Sequence, residues 1–398
     1  MLSGLIDTFI FATSFIAVLS FLVYFHELGH YSVARFFNVA VERFSVGFGK
    51  PIWQWTAKNG TKWSIGRIPL GGYVKFLGDA SGASNPDAEA LEAIKANLEA
   101  QDSEISVEDI FHFKPLYQRA LIVLAGPVFN FILAVIIFAG LGWFFGSSYV
   151  ESIVGRVLPN SAAEAAGVQV GDKVLTMDGH DVSSFNELRK YVVLKSDSPI
   201  ATIVDRDGYE VSLTITPQRV QEKDFVGGAS SSGKIGIGLP ADTPIVQVKY
   251  NPIEAIGFGV NEVTSTVAMT GTYIGRIFKG KEDGKQLGSI VKIATMTGKS
   301  AVDAANAEIP FIDRMRLIFI RLLSLAASLS IALGVANLMP IPVLDGGHLV
   351  YYGYEAVAGR PLSQQKQEFG FRLGFAVLLT LFVILTVNDI GYVASIFS

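Results

Sequence analysis

The feature that most constrains this chain is the stretch Phe25-His26-Glu27-Leu28-Gly29-His30, which closes an uncharged run of 18 residues from Thr8 to Phe25. An uncharged run of that length reads as a helix able to cross a membrane. On a helix, residues four apart share a face. His26 and His30 can therefore offer two imidazole nitrogens to one tetrahedral zinc ion, and Glu27 beside them can take a proton from a water that the ion polarises. That is the inner shell of a metalloprotease. Two histidines do not complete a zinc site, so the rest of the chain is expected to supply a third ligand.

Composition narrows which ligand that can be. The 398 residues include no cysteine, which excludes disulfides and thiolate ligands and leaves His, Asp and Glu. Half the residues are hydrophobic and 17% are charged, against about a quarter charged in soluble domains, which points to a membrane protein. A net charge of -4 gives no bulk attraction for nucleic acid, and no nucleic-acid partner is expected. No basic region precedes Thr8 and no small-residue cleavage site follows Phe25, so the first apolar run is expected to be retained.

Three further uncharged runs match the hydrocarbon thickness: Ala120 to Val150, Leu322 to Leu344, and Leu373 to Val387 with a weakly polar continuation to Phe397. Asn388 and Asp389 interrupt the last. Between Arg35 and Lys75 stand seven Lys or Arg and one acid, Glu42, and the third loop carries Arg360, Lys366 and Arg372. Both loops should therefore be cytoplasmic, with both termini outside. The first and third helices then run in the same direction, and their C-terminal ends reach the same membrane face.

The loops carry their own signals. Phe44 to Phe76 is β-rich, and Asn59-Gly60 marks a hairpin with positive φ expected at both turn positions. Its Trp53, Trp55 and Trp63 suit either a membrane interface or the aromatic face of a soluble hairpin. If the sheet reaches the site, its open edge can pair with an extended substrate backbone. Asp79 to Asp109, with nine acids and one Lys, reads as a solvated helix and linker. In the second helix, Gly126-Pro127-Val128-Phe129-Asn130 places a Pro and an amide in mid-membrane, where Asn130 either bonds a neighbouring helix or faces the site and holds substrate or oxyanion.

Glu151 to Pro217 alternates strands, a small helix, Ala166-Gly167-Val168, Gly171-Asp172, an Asp178-Gly179 turn and a helix from Phe185 to Leu194. This order closely resembles a PDZ domain, which serves either as a peptide-binding module or as a spacer or sieve. Pro252 to Phe278 is interrupted by Glu254, Glu262 and Arg276 and is expected as an amphipathic surface helix, with insertion as the alternative. Lys279 to Ile309 reads as loop with a short helix.

The third ligand is sought in Asn337-Leu338-Met339-Pro340-Ile341-Pro342-Val343-Leu344-Asp345-Gly346-Gly347-His348. The prolines unwind the third helix and the glycines free the backbone, so Asp345 can turn inward at the depth of His26 and His30. Asp345 is favoured over His348, since a carboxylate also balances the ion's charge in a poorly solvated place.

Together these motifs, in this order, resemble the site-2 protease family of intramembrane zinc metalloproteases, and within it the bacterial branch that acts in sigma-E regulation. The resemblance implies one Zn2+ per chain held by His26, His30 and Asp345, Glu27 as catalytic glutamate, and substrate positioning by Asn130 and Asn337. Gly71-Gly72-Tyr73-Val74 resembles the family's membrane-entering β loop. Implied partners are single-pass membrane protein substrates, such as pre-trimmed anti-sigma factors or remnant signal peptides, together with the lipid bilayer and a PDZ ligand. Many relatives carry two PDZ domains in tandem; here one is counted, with Phe225 to Val248 too short for a second.

The expected fold is a polytopic α-helical membrane protein with four transmembrane helices, a membrane-associated β hairpin on the cytoplasmic side and one inserted PDZ domain. Its segments are the first helix with HExxH (1–37), a cytoplasmic loop (38–119) holding the hairpin (44–76) and acidic linker, the second helix (120–150), and an extracytoplasmic PDZ domain (151–220). A linker with the amphipathic helix (221–313), the third helix (314–348), and a loop with the fourth helix (349–398) complete it. The expected location is the bacterial inner membrane, with the PDZ domain outside and the active site toward the cytoplasm. Two rivals come from other classes: a non-catalytic PDZ scaffold with a relic metal site, and a zinc transporter. Transport predicts inverted repeats and paired broken helices, which are not found here.

Overall fold

The computed structural model describes residues 2–79, 96, 106–223, 229–240, 243–282, 284 and 287–397. Most of the acidic stretch expected as a helix and linker lies outside them, as does part of the span from 225 to 248. Along the chain run α1 (Leu2–Phe36), β1 (Val41–Thr56), β2 (Lys62–Phe76), α2 (Leu116–Phe145), β3 (Ser147–Tyr149), β4 (Arg156–Val157), α3 (Ala162–Ala165), β5 (Lys173–Met177) and β6 (His180–Asp181). There follow α4 (Phe185–Val193), β7 (Ile200–Arg206), β8 (Tyr209–Ile215), β9 (Gln218–Lys223), β10 (Ala229–Lys234), β11 (Ile237–Gly238) and β12 (Val246–Val248). The chain closes with α5 (Pro252–Phe278), α6 (Ile290–Ala305), α7 (Phe311–Asn337), α8 (Asp345–Ala358) and α9 (Gln364–Phe397).

Four of the described helices are long and apolar enough to cross a membrane: Ile6–Phe36, Leu116–Phe145, Phe311–Asn337 and Gln364–Gly391. The 27-residue α5 is not among them, and its hydrophobicity is one-sided. The chain divides into two compact units, Met1–Ile137 with Ile293–Ile384, and Phe138–Lys292 with Leu385–Ser398.

In the first unit, α1 ends at Phe36, within one residue of the expected 1–37, so the His26 to His30 stretch lies inside the helix although the apolar run before it ends at Phe25. Gly29 lets α1 approach α2 closely, since a Cβ there would overlap the Ala125 carbonyl. Beyond Phe36 the hairpin begins three residues earlier than expected, at Val41. Its turn also differs: Ala57 N–H donates to Thr61 O at 2.9 Å and Gly60 N–H to Ala57 O at 3.0 Å, and Gly60, with φ +82, takes the left-handed position while Asn59 does not. This three-residue loop ending in a left-handed glycine replaces the two-residue turn.

The hairpin curls on itself. Arg43 partners both Lys75 and Lys62, Phe44 both Val74 and Trp63, Ser45 both Tyr73 and Ser64, and Val46 both Gly72 and Ile65. Segment 43–46 is therefore central and segment 72–75 an outer edge. Phe44, Val74 and Phe76 pack with Ala34 of α1 and with Ile122 and Val123 of α2 in one core. At the end of β2, Asp79 accepts from Phe76 N–H at 3.1 Å and meets His112 Nε2 at 2.7 Å, tying the hairpin to the approach to α2.

The third helix ends before its uncharged run does. α7 starts at Phe311 and stops at Asn337, and Asp345 opens the separate helix α8, which occupies much of what was read as loop after 348. Gly346 and Gly347 allow this, because a Cβ at either would overlap the backbone of residues 338–342.

In the second unit, residues 152–238 form a module around Val174, Met177, Leu188, Ile200, Val204 and Ile215. A four-stranded sheet has the order β6-β5-β7-β8, and Asp178 (φ 48) and Gly179 (φ 78) make the tight turn between β5 and β6. Ser161 and Ser184 accept from Glu164 and Glu187 N–H, capping α3 and α4. The module does not close at Pro217: β11 pairs with β4, and Ile235 joins the core. α2 ends at Phe145, and residues 147–149, expected as membrane helix, form β3 paired with β12. Arg276 on α5 donates to Ser198 Oγ, Ser196 O and Glu282, binding α5 to the module. Asp389 does not break α9: buried, it accepts from Ser289 and Lys292 N–H at the start of α6.

Candidate metal centre

Among the described residues, one group of three or more potential metal ligands stands out: His26, His30 and Asp345. His26 and His30 share the face of α1 that their spacing requires. Asp345 joins them as the first residue of α8, where the helix N-terminus favours a carboxylate. His348, its rival, stands one turn further along α8 and outside the group.

The distances fit a single tetrahedral ion. His26 Nε2 and His30 Nε2 lie 3.3 Å apart, and Asp345 Oδ2 is 3.4 Å and 3.5 Å from them. With metal–ligand bonds of about 2.0–2.1 Å at tetrahedral angles, donors are separated by about 3.3–3.4 Å. Asp345 Oδ2 is also buried without a hydrogen-bond partner, which an oxygen reserved for a cation explains.

Glu27 is 9% exposed and follows His26 directly. The Val74 backbone lies near its carboxyl, and at Gly72 a Cβ would fall 3.0 Å from Glu27 Cγ. The outer edge of the hairpin therefore passes close to Glu27, and Gly72 provides the clearance. Of the residues expected to bind substrate, Gly72 and Val74 stand beside Glu27, with Tyr73 between them on the edge and Gly71 just before it. Asn337 is half-buried at the end of α7.

Asn130 is fully buried, with its amide Nδ2 3.0 Å from His26 Nδ1, the ring nitrogen facing away from Asp345. It stands behind a ligand, where the sequence allowed a place in front of it. Two groups of the site were missed in the sequence. The Ile122 carbonyl meets His30 Nδ1 at 2.9 Å, and at Gly126 a Cβ would overlap His30 Nε2 and lie 2.8 Å from His26 Cε1. A backbone carbonyl leaves no mark in sequence; the spacing of 122, 126 and 130, four residues apart like His26 and His30, is the signal that was available.

Comparison with known proteins identifies the family. The profile of Peptidase family M50 matches residues 14–381. The Metalloprotease MmpA of Caulobacter vibrioides is 39% identical over 391 residues, covering 97% of each chain. A protein of Rhizobium meliloti provisionally named a zinc metalloprotease is 39% identical over 380 residues, 95% of this chain and 96% of its own. One of Agrobacterium fabrum with the same provisional name is 40% identical over 378 residues, 95% and 94% of the two chains.

Proposed function

This chain belongs to peptidase family M50 and is an integral-membrane metalloprotease, and from that premise we propose that it cuts the membrane-spanning segments of single-pass membrane proteins. The observation that carries the reading is the placement of three donors 3.3–3.5 Å apart, His26 and His30 with Glu27 adjoining on a helix able to cross a membrane and Asp345 at the start of α8. One zinc ion per chain, the metal in the relatives' names, fits His26, His30 and Asp345; when bound it supplies a Lewis acid that polarises the scissile carbonyl and acidifies water.

Glu27 takes the proton of the attacking water and returns it to the leaving amine. A carboxylate can do both because it passes from acceptor to donor on gaining that proton. Its surroundings, with the hairpin edge above it, limit access of bulk water. A helical substrate hides its carbonyls in its own hydrogen bonds and must unwind to be cut. Segment 72–75 is partnered in the ladder on one side only, and pairing with its other side offers the unwound strand replacement hydrogen bonds.

The excess of Lys and Arg in the loops supports a hairpin and site facing the cytoplasm of a bacterial inner membrane, and the strand-and-helix order of the module supports reading it as an extracytoplasmic PDZ domain that binds a ligand or filters bulky substrates. Exposed Ile52, Trp53 and Trp55 support contact of the hairpin with the bilayer. Glu27→Gln in purified protein, reconstituted with a single-pass substrate trimmed on its outer side, is expected to lower cleavage by at least about 100-fold while zinc stays near one per chain. Retained turnover would overturn the reading in favour of a scaffold with a relic site.

A further inference from the structure

We infer that α2 is the part that aims both imidazoles, and that Asn130 is a positioning residue for His26 and not a substrate contact; this rests on the reading of His26, His30 and Asp345 as one metal site. A neutral imidazole has one nitrogen that donates and one that accepts. Both Nε2 atoms converge on Asp345 Oδ2, so both lone pairs must lie at Nε2 for a metal, which puts both protons on Nδ1. Each Nδ1 then needs an acceptor behind it.

α2 supplies both from one face. The Ile122 carbonyl, 2.9 Å from His30 Nδ1, can only accept, so it fixes the His30 tautomer by itself. Two helical turns further on, the Asn130 amide lies 3.0 Å from His26 Nδ1. An amide can present either its oxygen or its nitrogen, and the two exchange by a half-turn that leaves the heavy atoms in place. The Oδ1 side of Asn130 is buried with no hydrogen-bond partner, so no other bond of that atom opposes the half-turn. With the oxygen toward the ring, His26 Nδ1–H donates to Asn130 in the same sense as His30 donates to Ile122. Between them Gly126 leaves the space that both rings occupy. Ser330 Oγ of α7 donates to the Asn130 backbone oxygen at 2.8 Å and fixes this turn of α2 against α7.

The assignment separates aiming from binding. A substrate contact would move KM, whereas an orienting acceptor moves metal affinity. The test uses full-length protein in detergent, zinc alone as probe in competition with a chromogenic chelator, and kcat and KM measured at saturating zinc. Asn130→Leu, which fills the volume without an acceptor, should weaken zinc affinity by about 10–100-fold with KM unchanged. Asn130→Asp, isosteric and able only to accept, should hold zinc within about threefold of the parent. Unchanged zinc affinity in Asn130→Leu with a raised KM would overturn the assignment. So would loss of zinc in a folded Asn130→Asp, which also covers the case where the Leu variant fails to fold. If the parent protein itself retained no zinc, the metalloprotease reading would fall first and this inference with it.

Discussion

Gly126 shapes the metal centre by what it lacks. Any side chain there would occupy the space of the His30 and His26 rings. A Gly126→Ala substitution must displace at least one imidazole, and a ligand moved by about 1 Å loses on the order of 100-fold in rate. The expected result is a loss of that size in cleavage together with weakened zinc retention under chelator challenge; normal zinc retention would show that the rings move aside freely. Residues whose chemistry is tied to spacing were legible in the sequence: His26, Glu27 and His30 declare themselves on one helix, and Asp345 by standing alone after 23 uncharged residues. Asn130 was legible as costly but not as to direction. In a helix apolar on every side, periodicity does not say which face meets the site.

At the scale of elements, the same distinction explains what was read and what was missed. The Asp178-Gly179 turn stands where expected because glycine and aspartate mark the chain's corners. α8 was missed because Gly346, Gly347 and Gly353 argue against a helix by propensity, whereas tight packing of the preceding backbone requires the first two. The interruption expected at Asp389 failed for a related reason: its carboxylate is satisfied by another element's N–H groups, and such tertiary partners are invisible in a local window. Within the 152–238 module, Asp172 couples stability to pH. Burial alone would raise its carboxyl, but the Arg206 guanidinium, at 2.7 Å and 2.8 Å, and the Gln169 N–H outweigh burial and hold it below the usual carboxylate range. A group depressed in the folded state stabilises fully above its unfolded pKa of about 3.9 and loses that contribution as pH falls through the folded value. Arg206→Gln should therefore lower hydrogen-exchange protection of the module at neutral pH, and the gap to the parent should narrow below about pH 4. A gap of equal size at both pH values would show that packing, not charge, carries the effect.

α1 and α7 cross in the same sense if the loops are assigned by their basic residues, and His26, His30 and Asp345 are found together in one unit. The membrane spans owe their place to apolar length, so on the proposed mechanism zinc should serve the chemistry and not insertion. Removing zinc from reconstituted protein with a strong chelator should abolish cleavage, leave helical circular dichroism unchanged, and be reversed by added zinc. Unfolding on chelation would contradict this division of roles. The one-sided edge at 72–75 carries a last consequence for selectivity. Ladder bonds engage N–H and C=O groups, which nearly every residue shares, so an edge of this kind discriminates little by side-chain identity. What it can discriminate is willingness to become extended: segments with weak helical cohesion should be captured readily, and a proline placed where the strand must donate should be the residue least tolerated.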